Sequence, residues 1–210
     1  MSDDKRIWDI LMEHIGNPYG VAGLMGNLQA ESSLNPVCKT GGKGDIRKLS
    51  GQDYVQKVMS GEITPEDFAH DGVAFGLAQW CYWSRKEALF KFVRERGLDI
   101  GSTEAQVTYM LSELYKYRTV WKTLKEATSI AEASDIVLLR YEKPADTSDK
   151  VKAKRQLYGQ GFYEKYANAH EITITDMIDT LDTLCWKYKL TATEQNVVRA
   201  TIEELLKKEG

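Results

Sequence analysis

The sequence predicts a predominantly α-helical protein, with one helical domain over residues 1–168 and a C-terminal helical hairpin over 169–210. Most of the chain places apolar residues at the i, i+3, i+4, i+7 spacing of an amphipathic helix. Only the segment near 37–75 is broken repeatedly by glycine, which predicts loops and a small β region there. The composition, with 42% apolar and 28% charged residues, is that of an ordinary globular protein.

The first two helices are predicted by apolar stripes and by the residues that end them. A Gly-Asn-Pro sequence at 16–18 closes a helix over about 4–15, and Asn-Pro at 35–36 closes a second helix over about 19–33. The second helix contains several glycines, each of which weakens a helix by roughly 1 kcal/mol relative to alanine. We therefore expect another backbone to pack closely against them. These glycines are Gly20, Gly23 and Gly26.

Helical patterns resume after the glycine-rich segment. Ser84 with Glu87, and Ser129 with Glu132, have the spacing of a capping box at a helix N-terminus. The predicted helices cover about 52–59, 84–97, 103–117, 129–142 and 149–166. Two more amphipathic helices follow His170. Because two helices alone bury little apolar surface, we expect this hairpin to dock on the main domain, to self-associate or to bind another protein.

Charge and residue usage exclude several classes of protein. The net charge of −3 and the lack of a dense Lys/Arg block argue against nucleic-acid binding. Three cysteines without CxxC spacing and three dispersed histidines predict neither a metal site nor a cofactor. No apolar run is long enough to span a membrane, so we expect no membrane insertion. The amphipathic N-terminus does not read as a signal peptide.

Glu31 is predicted to be a partly buried carboxyl at the C-terminal end of the second helix, because it lies three residues beyond Leu28 and extends the apolar stripe. Burial and the negative end of a helix dipole both raise the pKa of a carboxyl. A glutamic acid in such a place can keep its proton near neutral pH and donate it to a glycosidic oxygen. The alternative is a surface glutamate at a fraying helix end.

A second cluster is rich in aromatic residues. Phe75, Trp80, Tyr82 and Trp83 lie within nine positions, and Gln79 among them offers both a hydrogen-bond donor and an acceptor. Trp and Tyr supply large, partly polar surfaces on which the flat faces of sugar rings can pack. The alternative is that these aromatic residues belong to the core.

Two segments carry a resemblance to a known family. The sequence GNLQAESSLNP at 26–36, followed by FGLAQW at 75–80, resembles the phage tail lysozyme family. That family belongs to the lysozyme-like superfamily, with goose-type lysozymes and lytic transglycosylases. Similar family-like segments lie at 19–27, 80–86, 141–146 and 154–159. The resemblance covers roughly residues 7–167 and implies an α+β lysozyme-like fold.

By this resemblance, Glu31 matches the general acid, and residues 76–79 match a Gly-Leu-Met-Gln turn that faces it across the cleft, with Ala78 in place of the usual Met. Tyr141 and Glu142 resemble a motif at the far wall of the sugar cleft; the alternative is that Tyr141 packs and Glu142 pairs with a lysine. The predicted substrate-binding residues are Gln79, Gly76, Trp80, Tyr82, Trp83, Tyr141 and Glu142.

The second catalytic group is predicted to be Asp71, because it sits where goose-type enzymes carry a carboxylate that helps to position water. Another acidic residue of those enzymes would fall near Cys81 and is missing here. Asp45 and Asp67 are weaker candidates. Each of these aspartates could equally bond its own backbone within a loop.

The resemblance therefore implies a muramidase that hydrolyses the β-1,4 bond between N-acetylmuramic acid and N-acetylglucosamine in bacterial peptidoglycan. Three alternatives stay open: a lytic transglycosylase that forms anhydro-muramoyl products, a wall-binding or tail-structural module without activity, and a peptidase. The peptidase would pair His70 with one of the cysteines, Cys38, Cys81 or Cys185. Because the N-terminus does not resemble a signal peptide, we expect the protein to be part of a phage virion or to be released from the host cytoplasm.

Overall fold

The computed structural model describes residues 3–167, 189–197 and 199–200. The chain divides into two compact units, Met1–Ala167 and Asn168–Gly210. Each unit is described by itself below.

The described part of the first unit consists mainly of α-helices, as predicted. They are α1 Asp3–Ile15, α2 Pro18–Ser32, α3 Gly51–Ser60, α4 Pro65–His70, α5 Trp83–Arg96, α6 Thr103–Leu114, α7 Arg118–Glu126, α8 Ile130–Val137 and α9 Asp149–Tyr166. A 3₁₀ turn covers Gly44–Lys48, and a π-helical turn covers Leu138–Glu142. Strands β1 Lys39–Gly41 and β2 Val73–Phe75 pair antiparallel, with Thr40 opposite Ala74. The predicted small β region near 37–75 is thereby confirmed.

Helix α2 lies at the centre of this unit. Asn17 caps its N-terminus by accepting hydrogen bonds from the amides of Tyr19 and Gly20, and the chain leaves its C-terminus through a left-handed residue, Ser33. Most of the helix is buried, because α8 and α9 pack closely along it. A Cβ at Gly26 would lie 2.3 Å from the backbone oxygen of Arg155, so only glycine permits this approach of α9. The predicted backbone contact is confirmed.

Two local predictions are wrong. Ser84 and Glu87 do not form a capping box, because α5 begins one residue earlier, with Tyr82 at its cap and no side-chain cap bond. The helix predicted over 103–117 ends earlier, at Leu114, and a tight turn leads into α7, a helix that was not predicted. Apolar spacing alone does not reveal such a break when no glycine or proline marks it.

In the second unit, residues 192–197 are helical. Thr191 and Glu194 form a capping box: the Thr191 amide donates to the Glu194 carboxylate at 2.8 Å, and the Glu194 amide donates to the Thr191 hydroxyl at 3.4 Å. Most of the predicted hairpin lies outside the described residues. Among the described helices, none is long and apolar enough to cross a membrane.

Candidate active site

Glu31 lies in the last turn of α2, with its side chain 20% exposed. Its Oε1 accepts a hydrogen bond of 2.5 Å from Nη2 of Arg155 on α9. The guanidinium is buried on its other side, where Nη1 donates to the backbone oxygen and the Oδ1 of Asn27 at 3.3 and 3.1 Å. Arg155 therefore fixes the position of the Glu31 side chain in the free protein through a charged hydrogen bond.

The position of Arg155 follows from the packing of α2 against α9. Asn27 is held in turn by hydrogen bonds from its amide to the backbone oxygens of Gly23 and Ser134, at 2.9 and 3.1 Å. The sequence analysis did not assign a role to Arg155. The available signal was its place one helical turn before Gly159, a small residue that also lets α9 approach α2.

Glu142 is a second carboxyl in the electrostatic surroundings of Glu31. It ends the π-helical turn, and its Oε1 is buried without a hydrogen-bond partner among the described residues. Burial raises the pKa of Glu142 to about 8, and the negative charge of Glu31 acts in the same direction against the positive charges of Arg85 and Arg155. Glu142 is therefore largely protonated at neutral pH.

A buried hydrogen-bond cluster centred on Glu113 of α6 holds the turn that carries Glu142. The Glu113 carboxylate accepts bonds of 2.8 Å from the indole of Trp80, from Arg85 and from the hydroxyl of Tyr141. Burial alone would raise the pKa of Glu113, but these donors outweigh it, and the pKa lies below its ordinary value. Arg85 also stacks over the Tyr141 ring, 4.8 Å from its centroid.

Two of the residues predicted to contact sugar lie in this cluster. Trp80 is 0% exposed and Tyr141 is 2% exposed, so both side chains pack within the core. This burial favours the alternative prediction, in which these aromatic residues belong to the core.

The turn at 76–79 lies against the end of α2, because the hydroxyl of Ser32 donates to the backbone oxygen of Leu77 at 2.9 Å. Gly76 is buried with a positive φ of 78°, and a Cβ there would lie 2.5 Å from Oε1 of Gln106. Its role is thus to form the turn. The Gln79 amide is engaged locally, donating to the Gly76 oxygen at 2.9 Å and accepting from Thr40 at 3.0 Å.

Asp71 lies in a buried ion pair. Its Oδ1 accepts from Nζ of Lys86 at 2.5 Å and from the Val73 amide at 2.8 Å, while its Oδ2 accepts from the hydroxyl of Tyr54 at 2.5 Å. The side chains of Asp71 and Lys86 are 1% and 0% exposed. Burial lowers the pKa of Lys86, and the contact with Asp71 opposes this change. These surroundings fit a structural carboxylate, and they do not favour the predicted role of Asp71 in activating water.

The remaining candidates differ in exposure. Asp45 pairs with a neighbouring lysine at the surface. Thr64 caps α4, because its hydroxyl accepts from the Asp67 amide and donates to the Asp67 carboxylate. Tyr82 and Trp83 are 60% and 45% exposed, so their rings are open to a ligand. Among the aromatic residues predicted to contact sugar, these two fit that role by their exposure.

No metal centre is evident in the described part of the chain, and the two cysteines described there are free, Cys38 partly buried and Cys81 exposed. No group of three or more His, Cys, Asp or Glu residues there could hold a metal ion. Burial raises the pKa of Cys38, which disfavours the reactive thiolate. His70 stacks on Trp83 and faces Glu66, and Cys185 lies outside the described residues.

The helical domain, its two-stranded sheet and the glutamate at the end of its central helix define a lysozyme-like protein. The family model for phage tail lysozyme matches residues 2–166, and the chain therefore belongs to the phage tail lysozyme family. No curated protein and no solved structure gave a match. Membership of this family implies a glycosidase-type enzyme that degrades peptidoglycan.

Proposed function

We propose that this protein cleaves the β-1,4 bond between N-acetylmuramic acid and N-acetylglucosamine, with Glu31 as the general acid. One observation carries the proposal beyond the family. Among the described residues, two buried polar atoms near Glu31 have no hydrogen-bond partner, Oε1 of Glu142 and Nε of Arg155. An unpartnered buried polar atom costs about 1–3 kcal/mol, and two such atoms around one carboxyl are typical of a functional site.

The acid step requires a proton on Glu31. In the free protein Arg155 contacts Glu31, while Glu142 holds a proton. The positive charge of Arg155 also acts on Glu142 and favours its ionised form. A shift of the guanidinium from Glu31 toward Glu142 would therefore exchange which carboxyl holds the proton. Glu31 would then give this proton to the glycosidic oxygen as the bond from that oxygen to the sugar carbon breaks.

The second step decides between hydrolysis and transglycosylation. For hydrolysis, a carboxylate must take a proton from water as the water attacks the sugar carbon. Both oxygens of Asp71 are already engaged, and Glu142 holds a proton at neutral pH. These surroundings favour a second candidate, a lytic transglycosylase. In that reaction a hydroxyl of the substrate itself attacks the carbon and gives its proton to the Glu31 carboxylate that the acid step leaves, and an anhydro-muramoyl product forms.

Digestion of purified peptidoglycan by wild type, Glu31→Gln and Glu13→Gln tests the proposal. Glu13 is an exposed glutamate of α1 and controls for loss of one carboxyl. We expect Glu31→Gln to reduce wall clearing by roughly 10²-fold or more, with the control unchanged. Unchanged clearing by Glu31→Gln would show that Glu31 is not the acid. Mass spectrometry identifies the product, because an anhydro end is lighter by one water molecule than a hydrolysed end.

A wild-type protein that binds walls but releases no fragment would instead be a non-catalytic tail module. For either activity we propose that the protein acts as part of a phage virion or after release from the host. We also retain the prediction that residues 169–210 dock on another protein or on a second copy of the chain.

A further inference from the structure

A basic depression lies between the α6–α7 connection and the π-helical turn. Its volume is about 480 Å³, and its apolar lining comes from Tyr117, Val120 and Ile136. Four cationic side chains line it, and none of the described residues that line it is acidic. The cations are Lys116, Arg118, Arg140 and Lys143.

These four cations are uncompensated, since none of them forms an ion pair within the part of the chain that the structure describes. Elsewhere on the same unit surface lysines lie beside carboxylates, as Lys122 does with Glu126 on α7 and Lys91 with Glu95 on α5. Like charges brought together repel one another and destabilise the fold. A concave surface that retains such repulsion is suited to an anionic ligand, which would remove it on binding.

The backbone adds to this positive field. The first turn of α7 carries no acidic residue, and no side chain of the described residues caps it. Its amide groups and the positive end of the helix dipole lie at the wall formed by Arg118, Thr119 and Val120. Guanidinium groups bind carboxylate and phosphate in a bidentate manner, and lysines supply point charges. The cations carry the inference, and the helix end strengthens it.

We propose that this depression binds an oxyanion of the bacterial cell wall, either a phosphate of a wall polymer or a carboxylate of a stem peptide. The choice of the wall as source rests on the proposed function, whereas the oxyanion site does not. The depression adjoins the candidate active site, because Arg140 and Lys143 flank Tyr141 and Glu142 in sequence. Tyr117 also packs edge-on against Tyr141, with ring centroids 5.6 Å apart. An anion held here would anchor the wall beside Glu142.

The site itself is tested with inorganic phosphate by isothermal titration, which needs no catalysis. The double variant Lys116→Gln/Arg140→Gln removes two cations from the depression, and Lys91→Gln/Lys122→Gln removes two cations from outside it. We expect the first pair to weaken phosphate binding about tenfold or more and the second pair to bind as wild type does. Equal affinities in both pairs, or no binding by wild type, would overturn the proposal.

The source is tested by co-sedimentation with intact walls and with walls stripped of phosphodiester polymers, in a Glu31→Gln background that prevents digestion. If the depression variant binds intact walls more weakly than the control pair does but binds stripped walls equally well, the ligand is phosphate. Weaker binding to both wall types identifies the stem-peptide carboxylate. If the depression variant and the control pair bind both wall types equally, the wall ligand is ruled out even where phosphate binding has been measured.

Discussion

Replacement of Glu142 by Gln should change how the stability of this protein depends on pH. Burial, followed by the negative charge of Glu31, raises the pKa of Glu142 from 4.5 to about 8 in the folded protein. Between these pH values the folded protein holds a proton that the unfolded chain has released. The protonated Glu142 therefore stabilises wild type fully below pH 4.5. This contribution to the free energy of unfolding falls as the pH rises from 4.5 to about 8.

The size of the effect follows from the same pKa change. Each pH unit in this window is worth about 1.4 kcal/mol, so the whole window is worth up to about 5 kcal/mol. The amide of Glu142→Gln does not titrate, so the free energy of unfolding of the variant does not fall in this way as the pH rises. The difference in unfolding free energy between variant and wild type should therefore move in favour of the variant by about 1.4 kcal/mol per pH unit.

Urea unfolding followed by tryptophan fluorescence, at several values from about pH 5 to about pH 8, measures this difference. Glu87→Gln makes the same substitution at an exposed position of α5 and controls for loss of one surface charge. Parallel pH profiles for wild type and Glu142→Gln would refute the reasoning, because they would show that Glu142 is not a buried, protonated carboxyl.

Three further substitutions probe the surroundings of the site. Asp71→Asn should lower the free energy of unfolding by about 3–5 kcal/mol, because it leaves the buried lysine partner unpaired. Activity per folded molecule should be preserved. Loss of activity at an unchanged melting temperature would instead show that Asp71 is catalytic. Gly26→Ala should destabilise the protein by about 1–3 kcal/mol or more through overpacking. The control is Gly161→Ala on α9, which should not destabilise it, because a Cβ there meets nothing within 4 Å. Equal melting temperatures of the two variants would exclude tight packing at Gly26. Arg155→Gln should lower stability by about 1–3 kcal/mol, because Asn27 and Glu31 lose a charged hydrogen-bond donor. An unchanged melting temperature would contradict this expectation.

The sequence by itself determined the helical architecture and the position of Glu31. The bounds predicted for α9, 149–166, match the structure, although the residues that this helix buries are Arg155 and Gly159 and its Leu157 is 70% exposed. The glycines of α2 indicated close packing, since glycine weakens a helix unless a neighbouring backbone needs the space. The family resemblance added the expected role of Glu31.

Only the tertiary structure decided which groups surround that carboxyl. Arg155 lies 124 positions away from Glu31 and reaches it because α2 and α9 pack in backbone contact. Asp71 was predicted to be catalytic from its place in a motif, yet a lysine 15 positions later buries it in an ion pair. Apolar spacing predicts which face of a helix is buried, but it does not predict which charged side chain of another helix contacts that face. The protonation of Glu142 depends on burial and on charged side chains from other helices, so it follows only from the packed structure.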